Sequence, residues 1–160
     1  MKPTFNTRRF LLLLVVALVL TIIPLPTLID RLRPDWVALL IIFNALYWPR
    51  TIGVGVAFLV GILLDVVNAE LFGQHALALV VVAAVTLRLY QRIRMFPILQ
   101  KMITVFILVL IFQFMLFWVE GVIGTPVGGW QRWSPAITSA LIWPLIEWAR
   151  LRWQRRRPNY

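Results

Sequence analysis

The chain has no cysteine, which excludes disulfides, thiolate nucleophiles and any Cys-ligated zinc or iron–sulfur centre. Histidine is almost as scarce. His75 is the only one; it follows Gly73 in what the pattern makes a solvated outer loop, with no further ligands beside it to hold a metal. Ser134 and Ser139 are the only serines, and the sequence places no base beside either. There is no Gly-x-x-x-x-Gly-Lys-[Ser/Thr] phosphate loop, no His-Glu-x-x-His zinc motif and no Gly-x-Ser-x-Gly elbow. The expectation is therefore a protein without catalysis, cofactor or metal. Charge of one sign is scarce too, with six Asp/Glu against sixteen Lys/Arg. No Ser/Gly-rich linker or charge-rich stretch divides the apolar segments, so residues 1–160 are expected to form a single polytopic membrane domain with short basic tails, 1–9 and 150–160.

What the chain does have is apolar surface. Sixty-one per cent of its residues are hydrophobic and 14% charged, where soluble chains carry about 25% charged residues; mean hydropathy is +0.87. A helix crossing a roughly 30 Å hydrocarbon core needs about 20 residues. Phe10 to Ile29 and Met102 to Val119 are long enough. Trp36 to Pro49, Thr51 to Glu70, Ala76 to Tyr90 and Pro135 to Trp148 are shorter or interrupted. Trp36 to Pro49 would reach only about 21 Å as a helix, which calls for tilt, a thinned bilayer or a buried hairpin with the next run. Lys2, Arg8 and Arg9 before the first apolar run resemble a signal peptide, but Ile22-Ile23-Pro24-Leu25-Pro26 stands where a small-residue cleavage site would be. A retained first helix is expected.

Six segments put both termini on one side, and the basic residues say which. Lys2, Arg8, Arg9, Arg50, Arg88, Arg92, Arg94, Lys101 and the five arginines from Arg150 to Arg157 fall on that side, against Arg31, Arg33 and Arg132 on the other. By the positive-inside bias the termini are cytoplasmic. Trp36, Trp48, Trp118, Trp130, Trp133, Trp143, Trp148 and Trp153 mostly fall near proposed segment ends, where amphipathic rings favour the headgroup region. The tail from Arg150 to Arg157 either anchors topology or binds anionic lipid headgroups. The fold class expected is an all-α integral membrane protein, a bundle of about six transmembrane helices.

The third segment carries the clearest pattern. Gly53, Ala57, Gly61 and Asp65 recur every four residues and share a helix face, with Asn68 on the same side. Small residues so spaced let a second helix approach closely, so this face is a candidate helix-packing or partner interface. A carboxylate at membrane depth is expensive. Asp65 is thus expected to face protein, with Arg31 or Arg33 as partner; a proton or cation pathway is the sharper alternative, weakened by the lack of a second acid beside it. Asn44, Gln113 and Thr138 are single groups suited to hydrogen bonds between helices, and Arg150, three residues on, accounts for Glu147. Ser134 before Pro135 has the form of a helix N-cap.

Arg33-Pro34-Asp35-Trp36, Trp48-Pro49-Arg50, the run from Ile52 to Asp65, Leu71-Phe72-Gly73, Ala76-Leu77-Ala78, Phe117-Trp118 and Leu141-Ile142-Trp143-Pro144, in this order and spacing, resemble the MreD family of rod shape-determining proteins along nearly the whole chain. The resemblance implies a non-catalytic component of the bacterial inner membrane that maintains rod shape and supports lateral peptidoglycan synthesis. Its implied partners are MreC, directly, and the assembly of MreB, RodA and a class B penicillin-binding transpeptidase, beside membrane lipids; nucleic acid is not among them. The family also resembles the six-helix S-components of energy-coupling-factor transporters, so the rival expectation is a small-molecule transporter or substrate-binding membrane subunit. That rival needs a polar midplane pocket, for which Asn44, Asp65, Asn68 and Gln113 are the candidates.

Overall fold

In the computed structural model the described residues are 7–24, 26, 32–69, 73–124 and 129–155, and they contain only helices and turns. The α-helices are α1 (Thr7–Ile22), α2 (Trp36–Tyr47), α3 (Val54–Asn68), α4 (Gln74–Met95), α5 (Ile98–Ile123) and α6 (Ser134–Arg155), with a 3-10 turn at Trp130–Trp133 leading into α6. Proline and glycine set most boundaries. α1 stops at Ile22, short of the expected Ile29, because Pro24 and Pro26 cannot continue a helix. Trp48-Pro49 ends α2, and Pro97 separates α4 from α5. α5 ends on Gly124 at φ +80°, a conformation glycine adopts without a Cβ penalty. At their polar ends α4, α5 and α6 run past the apolar stretches, since Gln, Lys and Arg are good helix formers and the backbone stays helical where hydropathy fades. Ser134 is the first residue of α6 and directly follows the 3-10 turn.

α2 is the axis of the bundle. Ten of its twelve residues are buried, and it packs against α1, α4 and α5. A helix apolar on every side belongs in an interior, and α2 is apolar but for the Tyr47 hydroxyl at its end and Asn44, whose amide donates to Leu40 O at 2.7 Å in its own helix and not to a neighbour. Thr138 likewise bonds carbonyls of its own helix, Ser134 and Pro135. Around α2, α5 buries the stripe Lys101, Val105, Leu108, Val109, Phe112, Gln113 and Leu116. Trp143 of α6, expected near a headgroup region, is fully buried and meets Phe43 edge-on at 6.2 Å.

The outside is also apolar. Leu12, Val15 and Val16 of α1, Phe58 and Leu59 of α3, Ile103, Ile107, Phe114 and Trp118 of α5, and Leu141 and Leu145 of α6 are all exposed. Among the described residues two helices, Gln74–Met95 and Ile98–Ile123, are long and apolar enough to cross a membrane.

Candidate functional site

The helices alternate in direction, so their ends gather into two polar groups, one at each end of α2. At the first, α2 begins with Asp35. Its carboxylate accepts from Gln113 Nε2 of α5 at 2.7 Å, and its backbone N–H donates to Ser139 Oγ of α6 at 3.1 Å.

Beside it Asp65, fully buried on α3, accepts three bonds: from Gly73 N–H at 2.8 Å, from His75 N–H at 2.9 Å and from His75 Nδ1 at 2.9 Å. Gly73 stands at φ +99°, which aims its N–H back at the carboxylate; a side chain there would be strained. His75 is therefore a buried residue in the first turn of α4, not a solvated loop histidine. Its burial follows from Asp65, which supplies the acceptor a buried imidazole N–H needs. Arg31, one of the partners expected for Asp65, lies outside the described residues, as do Leu71 and Phe72. A third carboxylate, Glu120, accepts a two-armed contact from Arg132 and a bond from Gln74 Nε2 at 3.1 Å.

Asp35 and His75 border a cavity of about 230 Å³ into which every helix of the bundle sends a residue: Thr21 of α1, Trp36 of α2, Asn68 of α3, His75 of α4, Phe112 of α5 and Pro135 of α6. Arg33, Pro34 and Asp35 complete its rim. The motif Arg33-Pro34-Asp35-Trp36 and the end of the α3 face thus meet in one place. Among the described residues no three His or acidic groups converge to hold a metal ion.

The second group surrounds the other end of α2. Glu147 of α6 accepts from Tyr47 Oη at 2.5 Å, from Lys101 Nζ of α5 at 3.2 Å and from Arg150 at 2.8 Å. Arg94 of α4 donates to the Tyr47 carbonyl at 3.1 Å, and the Arg150 guanidinium lies 4.1 Å over the Tyr47 ring. The sequence pairing of Glu147 with Arg150 is there, but Tyr47 and Lys101 join it from 100 and 46 residues away, beyond any local pattern.

Between the two groups runs the small-residue face of α3. Ala57, Gly61 and Asp65 are buried and face α4. A Cβ on Gly61 would come within 2.6 Å of the Ala76 nitrogen and 3.0 Å of its Cβ, so the backbones touch here with no room to give. Gly53, at the start of α3, is different: a Cβ there meets nothing within 4 Å. Asn68 lines the cavity.

Residues 3–149 match the model of the family described as rod shape-determining protein MreD. The chain belongs to the MreD family. Over 148 residues, 91% of either chain, it is 28% identical to the rod shape-determining protein MreD of Haemophilus influenzae. No solved structure matches. Within the MreD family frame, the motif residues Arg33 to Trp36 and Gly73 acquire definite places: the former frame the cavity mouth and the latter holds the Asp65 carboxylate.

Proposed function

We propose that the chain is a multi-pass protein of the bacterial inner membrane that acts without catalysis, as a scaffold of the elongation machinery assembling with MreC, and through it with MreB, RodA and a class B penicillin-binding transpeptidase. The supporting observation is the pairing of an apolar exterior with polar groups held inside. Large exposed apolar side chains on α1, α3, α5 and α6 form far more contiguous apolar surface than a water-soluble monomer carries. Meanwhile the carboxylates Asp65 and Glu147 are buried and bonded within the bundle.

Because Ala57, Gly61 and Asp65 serve the α3–α4 contact, the side of α3 open to a partner helix is the opposite one, with Phe58, Leu59 and Val66 exposed. A photo-cross-linker scanned along residues 53–68 in cells tests this. Adducts to MreC are expected at 58, 59 and 66 and not at 57, 61 or 65; the reverse pattern, or none, would refute the interface. Retention of the chain in the membrane pellet after alkaline extraction tests the location.

A second reading, a small-molecule-binding membrane subunit, draws on the cavity that all six helices line. Thermal stabilisation of the purified chain by a small metabolite would favour it over the scaffold.

A further inference from the structure

Around Glu147 the charges do not balance. Lys101, Arg150 and Arg94 converge on the Tyr47–Glu147 pair, and both Glu147 oxygens are already occupied. Lys101 and Arg150 side chains are only 11% and 18% exposed, so among the described residues one positive charge in excess sits where water screens it poorly, with the exposed Arg94 beside it. The remaining acids among the described residues, Asp35, Asp65 and Glu120, lie at the opposite end of the bundle.

We propose that the Arg94–Lys101–Arg150 cluster binds the phosphodiester of an anionic phospholipid headgroup, an inference that rests on the membrane reading above. Basic pockets between helices on the cytoplasmic side of a bilayer are suited to such headgroups. Arg94 uses a single bond on the Tyr47 carbonyl, and a guanidinium carries five N–H donors in a fork that matches phosphate. The amphiphile, and not a free phosphate, is the occupant because apolar side chains adjoin the cations: Met95 is 86% exposed next to Arg94, and Leu99 is 66% exposed two residues from Lys101. Arg152, stacked 4.9 Å over Trp148, holds a further cation on the same helix as Arg150, beside an aromatic ring of the kind that favours the headgroup region.

The test is native mass spectrometry of the full chain released from nanodiscs of phosphatidylcholine containing phosphatidylglycerol. Preferential retention of phosphatidylglycerol is expected. Arg94→Gln and Lys101→Gln should each lower it about five-fold, the change equivalent to ~1 kcal/mol per basic residue at an anionic surface. Arg50→Gln, which removes a charge at the same end outside the cluster, should leave it unchanged. Arg94→Gln keeps the Lys101–Glu147–Arg150 contacts, so its effect is read without disturbing them. Equal retention of both lipids, an equal loss in Arg50→Gln, or displacement of the lipid by inorganic phosphate would each overturn the proposal. A chain that fails to enter nanodiscs at all would overturn the membrane reading with it.

Discussion

The two ends of α2 solve one problem with opposite chemistry. At the Asp35 end, three carboxylates are satisfied one by one: Asp35 by an amide, Asp65 by two backbone N–H groups and an imidazole, and Glu120 by an arginine and an amide. At the Tyr47 end a single carboxylate holds a hydroxyl and two cations. The first arrangement spreads acids over separate donors beside a cavity that Asp35 and His75 line. The second concentrates cations on one acid and leaves a positive surplus. The difference separates two jobs: the acidic end closes the fold on itself, whereas the basic end faces outward electrostatically.

Removing the central carboxylate at either end should have the largest effect, because the buried partners lose the acceptor they share. Glu147→Leu strands Lys101 and Arg150 and is expected to cost about 3–5 kcal/mol. Asp65→Leu orphans the Gly73 and His75 N–H groups, at about 1–3 kcal/mol for each stranded donor. Thermal denaturation in detergent measures both, and if only one destabilises, the symmetry between the two ends is lost. Gly61→Ala, which drives a methyl into the Ala76 backbone between them, is expected to cost about 1–3 kcal/mol, while Gly53→Ala should cost less since its Cβ meets open space.

The smallest effect is expected at Ala69, which caps α3 in the left-handed region at φ +52°; Ala69→Gly relieves that strain and should stabilise by up to about 1 kcal/mol.

Much of this architecture was legible in the sequence, and the limits follow the range of the interactions. The four-residue spacing of Ala57, Gly61 and Asp65 places them on one face because helical periodicity is local, whereas Gly53 lies just before the helix. Glu147 and Arg150 are legible for the same reason. His75 was not, since its burial depends on a carboxylate ten residues back across a turn. Nor was Tyr47–Glu147, whose partners lie 100 residues apart. Trp143 misled because an aromatic near a segment end has the same local signature whether it turns outward or, as here, into Phe43.

The shortness of α2 has a mechanical consequence. Its twelve residues span about 18 Å, against roughly 30 Å for a hydrocarbon layer. In a bilayer, the polar groups at its ends would then stand roughly 6 Å beneath each face, leaving a thin dry septum between two hydrated vestibules. Because α2 is enclosed, the 22 residues of α4 and 26 of α5 would set the outer thickness, and only the interior of the bundle would be thinned.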